Sequence, residues 1–447
     1  MTDSVVIYVD IGGIQEYLFG SNRLRENIGA SYLVKHASTT WVDQAKPSGE
    51  KIFAGGGKAC VLFHDQESAK AWTKAYTRRA LKETPGLRVA VGHSAPFEYD
   101  PNQSDLIEHI QQAQDDAKRI ESRYAPFAPT LGLGVTVPCR STGLVAVGQR
   151  RDIDGVPKDE GDYPVSNEII IKTRSASYDQ TTKTDAAMHD LKTTITAFQA
   201  VEPLEREALN HTQHYLIPRD FDDFGRREGD YSYLAVVHMD GNAVGTLFRT
   251  IGRLWHDTTE QCEQYVKNES YIAAYQAFSN LVDQSGVRAI NAMIECLMTA
   301  LKYSSSSLET SASSNASLVA TITKDLKRPM DQAEFRRFRR FRRLPDERDK
   351  TAYFPLRPLV YGSDDSTFVC DARLAAILTP YLIERFEYYS QHALVEFKQQ
   401  FTEIGAQFPD KLTACAGITI FKTHYPFARA YALCEELCQS AKKFSDL

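Results

Sequence analysis

The feature that most constrains how this 447-residue chain folds is an internal repeat. A short apolar run that ends at Asp10 is matched by a second run that ends at Asp240, and each leads into a glycine-containing turn and a predicted helix. Self-similarity of this kind indicates that one supersecondary unit occurs twice along the chain. We therefore expect two related domains.

A second pair of matching segments predicts a hairpin in each copy. IFAGGGKACVLF in the first copy aligns without gaps with LVYGSDDSTFVC in the second. The alignment places Gly57 and Lys58 where the second copy has Asp364 and Asp365. The two copies are therefore expected to share a fold but to differ in chemistry.

The third and fourth landmarks are a strand and a helix. Alternating runs that end at Gly92 and at Gly417 predict half-buried strands. A predicted helix follows each strand, and it carries Lys118 in the first copy and Lys442 in the second. Because nearly equal numbers of residues separate glycine from lysine, we expect the two lysines to be equivalent.

Each copy has the element order strand, helix, hairpin, helix, strand, helix. This order predicts an α/β fold of the α+β sandwich type, with two ferredoxin-like domains and a mostly helical region between them. In such a sheet the first strand lies beside the hairpin. Asp240 is therefore expected next to Asp364 and Asp365, although the sequence separates them widely.

Three converging carboxylates are typical of two-metal phosphoryl transfer. Asp240, Asp364 and Asp365 are therefore predicted to be catalytic and to bind two Mg²⁺ or Mn²⁺ ions, with ATP or another nucleoside triphosphate as substrate. Gly362 and Ser363 are small enough for the backbone to approach a phosphate. The alternative is a solvated acidic turn without a metal.

A glycine-bearing loop and a lysine complete the predicted nucleotide site. Gly241, Asn242 and Gly245 lie where a strand gives way to a helix, and backbone N–H groups at a helix N-terminus suit a triphosphate. Lys442 is predicted to reach the same phosphates. The alternative for this lysine is a solvated position on an exposed helix face.

The run EFRRFRRFRR at residues 334–343 repeats Phe-Arg-Arg three times. Arginine binds phosphate in a bidentate manner and phenylalanine stacks on bases, so residues 335–343 are a candidate RNA contact. The same repeat also fits an amphipathic helix that packs its phenylalanines on the protein.

Composition restricts the class of protein. The chain is 43% apolar and 25% charged, with a formal net charge of −6, which is ordinary for a globular protein and gives no overall attraction to polyanions. The N-terminal run resembles neither a signal peptide nor a membrane anchor, so we predict a cytoplasmic protein without membrane contact. The eight cysteines include no C-x-x-C pair and are expected to be reduced thiols.

The ordered set of motifs resembles a known family. DIGGIQEYLF and NRLRENIGASYLV, followed by MDGNAVG, YGSDD and AGITIFKTHYPFARAYALCEELCQSAKK, are similar to the large polymerase-like subunit of type III CRISPR effector complexes. This resemblance implies two palm domains, the second of which joins ATP molecules into cyclic oligoadenylates. It also implies that Asp240, Asp364 and Asp365 bind the metals, that the loop from Gly241 to Gly245 binds phosphate, and that Lys442 assists.

On this basis we predict a degenerate first palm domain at 1–130, a linker region at 131–230 and a second palm domain at 231–447. The second domain carries an insertion at about 255–345 with helical, serine-rich and basic parts.

The sequence also departs from the family pattern. Ser363 replaces the second glycine of the Gly-Gly-Asp-Asp hairpin, and of a zinc ribbon only Cys139 remains. Because the sequence begins directly at the first palm, we predict no HD nuclease domain, and either a CRISPR large subunit or a reduced stand-alone relative. CRISPR effector subunits or a second copy of the chain are the expected protein partners.

Three functions remain open at this point. The first is a nucleotidyltransferase that makes cyclic or linear oligoadenylates from ATP in antiviral defence. The second is a purine nucleotide cyclase that acts on a single nucleotide, since a palm with the same metals can catalyse that reaction. The third is a scaffold that binds nucleotides or guide RNA without turnover.

Overall fold

The computed structural model describes residues 3–44, 49–103, 105–123, 134–153, 156, 162–177, 185–201, 214–224, 233–261, 267–302 and 351–445. The serine-rich stretch and the Phe-Arg-Arg repeat of the predicted insertion lie outside these residues, so the RNA contact stays a prediction. Within the described residues, no helix is long and apolar enough to cross a membrane.

The described strands are β1 (Val5–Gly12), β2 (Gly49–Gly55), β3 (Lys58–Phe63), β4 (Arg88–His93), β5 (Gly148–Gln149), β6 (Pro164–Val165), β7 (His214–Leu216), β8 (Tyr233–Gly241), β9 (Thr351–Tyr353), β10 (Leu356–Val360), β11 (Asp365–Asp371) and β12 (Ala414–Lys422).

The described helices are α1 (Ile14–Phe19), α2 (Leu24–Ser38), α3 (Thr40–Gln44), α4 (Gln66–Glu83), α5 (Leu106–Glu121), α6 (Asn167–Ser175), α7 (Ala186–Thr194), α8 (Val244–Gln261), α9 (Asn268–Lys302), α10 (Ala372–Gln400), α11 (Thr402–Gly405) and α12 (Phe427–Ser445). Short 3₁₀ helices occupy Arg150–Asp152, Thr196–Ala200 and Phe221–Phe224.

These elements form two compact units that are discontinuous along the chain. The first unit comprises Met1–His189, Ala243–Val282 and Leu394–Pro409, and the second comprises Asp190–Asn242, Asp283–Ala393 and Asp410–Leu447. The linear domain boundaries at 130 and 230 remain a prediction.

The first unit is built on a four-stranded antiparallel sheet with the order β2-β3-β1-β4. Its central strand, β1, is almost entirely apolar and buried along its length, so side chains on both faces of the sheet are covered. Helix α4 begins where the Asp65 side chain accepts the Ser68 N–H at 2.7 Å, an N-cap that satisfies one of the unpaired first-turn amides.

The second unit contains a sheet of the same topology. Its order is β10-β11-β8-β12, again with antiparallel neighbours. In both sheets the first strand of the repeat and the second strand of the hairpin lie in the centre, and the other two strands lie at the edges. This is the ferredoxin-like order. The predicted fold class is therefore confirmed.

Residues aligned by the sequence repeat occupy the same register in the two sheets. Asp10 pairs with Lys58 across β1 and β3, and Asp240 pairs with Asp365 across β8 and β11. The alignment of the two hairpins therefore extends to individual cross-strand pairs. One unit places two carboxylates in a pair, and the other places a carboxylate opposite an ammonium group.

The predicted equivalence of Lys118 and Lys442 is wrong by one helical turn. A Cβ added to Gly92 would overlap the backbone of Ala113 and Ala117 in α5. Lys118 directly follows this contact, is exposed, and lies 3.3 Å from Asp115 Oδ1.

In the second unit, Gly417 meets the backbone of Cys434 and Cys438, and Lys442 comes one turn beyond that contact. The residue one turn beyond Ala117 is Glu121, and a Cβ on Gly12 would overlap its carboxylate. Counting residues failed because the loop between strand and helix is longer in the first unit. The first unit therefore has a carboxylate where the second has an ammonium group.

Gly417 allows β12 and α12 to pack with backbone against backbone. Gly417→Ala should lower the free energy of unfolding by about 1–3 kcal/mol, because the added methyl group forces strand and helix apart. Gly252→Ala is the matched control, since a Cβ there meets nothing within 4 Å in α8. That control should raise stability by up to about 1 kcal/mol. Urea unfolding of both variants checks the contrast, and equal effects would contradict the close packing.

Candidate active site

The acidic hairpin of the second unit turns through two residues with left-handed backbone. Gly362 has φ 107° and Ser363 has φ 63° between β10 and β11. Glycine adopts such angles without cost, whereas serine does so only when its surroundings hold it there. The Ser363 hydroxyl donates to Asp364 Oδ1 at 2.9 Å, which is one such constraint.

The hairpin brings the predicted carboxylates together. Asp365 lies directly opposite Asp240, and directly opposed residues of antiparallel strands point to the same face of the sheet. Asp364 precedes this pair in the turn, and its carbonyl oxygen accepts the Gly241 N–H at 3.0 Å. The juxtaposition of Asp240 with the acidic hairpin therefore follows from strand pairing.

Desolvation raises the pKa values of both hairpin aspartates. Burial is the main cause of the raised pKa of Asp364, and the Asp240 carboxylate adds to it. For Asp365, burial raises the pKa well above its usual value, and repulsion from Asp240 and Asp364 adds to the effect. The Asp365 side chain is still 47% exposed, but its Oδ1 atom is buried and accepts no hydrogen bond.

Lys442 is held inside the site and not on a solvated helix face. Its Nζ lies 2.5 Å from Asp240 Oδ2 and donates to the Gly241 carbonyl oxygen at 3.0 Å. The side chain is 28% exposed. The ammonium group thus offsets one of the three carboxylates and leaves the other two without a bonded cation among the described contacts.

His238 belongs to the site but is absent from the predicted set. Its Nδ1 lies 3.3 Å from Asp365 Oδ1 and 3.0 Å from Thr367 Oγ1. Burial lowers the pKa of His238, so its ring is neutral at pH 7. The available signal was the alternation of β8, because His238 lies two residues before Asp240 and hence on the same face.

The predicted loop residues have separate environments. Asn242 donates from its backbone N–H to the Thr413 carbonyl at 2.8 Å and from Nδ2 to Thr413 Oγ1 at 3.0 Å. Its Oδ1 is buried without a hydrogen-bond partner and can accept from a ligand. Gly245 lies exposed in the first turn of α8, and a Cβ there would meet nothing within 4 Å. Gly245 stays a predicted nucleotide contact.

The residues present suit a divalent cation by their chemistry. Among the described residues, no group of three His, Cys, Asp or Glu side chains is arranged to hold a metal ion as it stands. Carboxylate oxygens are nevertheless the ligands that Mg²⁺ and Mn²⁺ prefer, and Asp365 Oδ1 accepts no hydrogen bond that would compete with a cation. The donor set therefore fits, with Lys442 in contact with Asp240 in this structure.

Comparison with known proteins identifies the fold. No protein-family model matches the chain, and no curated protein matches its sequence. The crystal structure of the apo Csm1–Csm4 cassette matches with a TM-score of 0.50 at 13% identity, covering 99% of this chain and 53% of that one. The same cassette in complex with pppApApA matches with a TM-score of 0.50 at 12% identity, covering 99% and 52%.

The chain thus spans about half the length of the structures it matches. At this level of identity the likeness concerns the fold. It agrees with the palm-type architecture that the sequence motifs predict.

Proposed function

We propose that this protein is a nucleotidyltransferase that converts ATP into cyclic or linear oligoadenylates. The observation that carries this proposal is the cross-strand pair of Asp240 and Asp365, with Asp364 beside it and a buried oxygen on Asp365 that accepts no hydrogen bond. Such crowding of acidic groups is costly in a structural turn and typical of a site that binds cations.

The fold supports the same proposal. The Csm1–Csm4 cassette, which has this fold, has been crystallised with pppApApA, a linear oligoadenylate. We infer that the present chain belongs with the large polymerase-like subunits of type III CRISPR complexes and acts in antiviral defence. Membership as a reduced stand-alone relative and a cytoplasmic location remain predictions.

Each residue of the site has a proposed task. Asp240, Asp364 and Asp365 would hold Mg²⁺ or Mn²⁺, and the bound ions would polarise the α-phosphate and lower the pKa of an attacking hydroxyl. Gly362 and Ser363 keep the hairpin backbone accessible. Lys442 would exchange its contact with Asp240 for a phosphate oxygen, since both are anionic partners of one ammonium group.

Backbone groups and a side-chain amide are proposed to complete the nucleotide site. Gly241 and Asn242 follow directly on Asp240, and the buried Asn242 Oδ1 offers an acceptor to a nucleotide. Gly245, in the first turn of α8, is proposed as a further nucleotide contact. RNA binding through 335–343 and assembly with CRISPR subunits or a second copy of the chain complete the proposed set of partners.

Chromatography of reaction products tests the proposal. The purified protein is incubated with each nucleoside triphosphate in turn, in the presence of Mg²⁺ or Mn²⁺. The products are then separated by chromatography and identified by mass spectrometry. Adenylate oligomers with release of pyrophosphate are expected from ATP. Monomeric cyclic nucleotides would indicate the single-nucleotide purine cyclase instead. Absence of any product under activating conditions, together with retained nucleotide or RNA binding, would indicate the scaffold.

A further inference from the structure

The acidic hairpin is held from outside its own sheet by helix α9. Asp283 Oδ1 accepts the backbone N–H of Ser363 at 3.1 Å. One turn later, Gly286 lies so close that an added Cβ would overlap the Ser363 carbonyl oxygen. The helix therefore touches both the amide and the carbonyl of the residue that immediately precedes the two aspartates.

A second carboxylate holds the other side of the turn. The Tyr361 hydroxyl donates to Asp190 Oδ2 at 2.8 Å. Tyr361 and Ser363 flank Gly362, so the turn is fixed before and after its glycine. Neither contact belongs to the hairpin's own strand pairing.

The backbone angle of Ser363 shows why such support matters. A serine with φ 63° lies in a region that non-glycine residues rarely occupy, and surrounding contacts must hold it there. If the Ser363 amide is released, the turn can relax toward ordinary angles. Asp364 and Asp365 would then change direction relative to Asp240, because they follow Ser363 directly.

We propose that Asp283 is a positioning residue, which holds the Ser363 amide and thereby directs Asp364 and Asp365 toward Asp240. This inference rests on the proposed function of that site. Asp283 acts through a hydrogen bond to the backbone, so an uncharged acceptor of the same shape should serve equally well.

Three variants of α9 test the proposal. Asp283→Ala removes the acceptor, Asp283→Asn keeps an amide oxygen at the same place, and Gln284→Ala is the matched control on an adjacent exposed position. We expect Asp283→Ala to lower kcat by about 10–100-fold with little change in KM for ATP, as supporting contacts around metal ligands typically do. Asp283→Asn and Gln284→Ala should stay within about threefold of the unchanged protein.

A loss in Asp283→Asn as large as in Asp283→Ala would show that charge, and not the hydrogen bond, matters, and would overturn the proposal. Unchanged kcat in Asp283→Ala would overturn it as well. Gly286→Ala provides a second route, since it pushes on the Ser363 carbonyl while leaving Asp283 in place. Gly286→Ala should therefore also lower kcat, whereas the control Gln284→Ala should not.

Amide hydrogen exchange separates this inference from the proposed function. Exchange of the Ser363 amide is measured without nucleotide, and it should accelerate at least about tenfold in Asp283→Ala but not in Asp283→Asn, since release of the hydrogen bond opens the turn. If the unchanged protein makes no product, the proposed function fails and exchange alone decides the role of Asp283. Equal exchange in all three proteins would then overturn it.

Discussion

Replacing Asp364 and Asp365 together by asparagine is expected to abolish turnover while keeping or raising the melting temperature of the metal-free protein. Turnover should fall on the order of 10³-fold or more, because charge neutralisation by metal contributes several kcal/mol to the transition state. ATP with Mg²⁺ should also no longer raise the melting temperature of the variant, since a ligand that does not bind the native state does not stabilise it.

The stability part of this expectation follows from the raised pKa values. The pKa values of Asp364 and Asp365 are higher in the folded protein than in the unfolded protein, where the pKa of aspartate is near 3.9. Each such carboxyl contributes stability at a pH below its unfolded pKa. That contribution is lost as the pH rises through the folded pKa. In EDTA the unchanged protein should therefore lose stability relative to the double variant as the pH rises above about 4, the unfolded pKa of aspartate. Asparagine does not titrate, so the difference in melting temperature should grow with pH.

Thermal melts in EDTA at several pH values, followed by melts with ATP and Mg²⁺, measure both parts. Asp10→Asn is the control for removing a carboxylate from the other sheet, because Asp10 corresponds to Asp240 and lies opposite Lys58 instead of an aspartate. A double variant that is destabilised in EDTA would mean that the aspartates support the turn. A double variant that still responds to ATP and Mg²⁺ and still turns over would exclude the metal site.

Asp240→Ala should reduce turnover on the order of 10³-fold, whereas Asp10→Ala should cost less than about tenfold. The two aspartates occupy equivalent positions near the ends of β1 and β8, so a purely structural role would predict equal effects. Their surroundings differ in charge. Asp240 pairs with Asp365, and Asp10 pairs with Lys58.

The exchange of charge extends to the helix that packs on each sheet. Lys442 contacts Asp240 in the second unit, and Glu121 occupies the corresponding place beside Gly12 in the first. The first unit thus has a lysine opposite its aspartate and a glutamate nearby, so it does not contain a cluster of three acids.

Steady-state kinetics of Asp240→Ala and Asp10→Ala, with circular dichroism to confirm folding, measures the contrast in turnover. Equal loss of turnover in two folded variants would refute the division of labour.

Local patterns in the sequence were enough to predict the repeat, the ferredoxin-like order and the meeting of Asp240 with Asp364 and Asp365. Strand alternation and turn residues act over a few neighbours, and once two strands pair, their register places every residue. The alternation of β8 also contained His238, which the prediction overlooked although its position was implied.

Contacts between helix and sheet, by contrast, depended on the tertiary structure. The turn of α12 that faces Asp240 is set by the close packing of Gly417 on Cys434, and residue counting therefore matched Lys442 with Lys118 one turn away from the correct position. Asp283 is 80 residues from Ser363 along the chain, and no local signal connects them. Loop length and the rotation of the helix about its axis decide such contacts. The hydrophobic pattern alone allows several rotations, and only the close packing of backbone against backbone selects one of them.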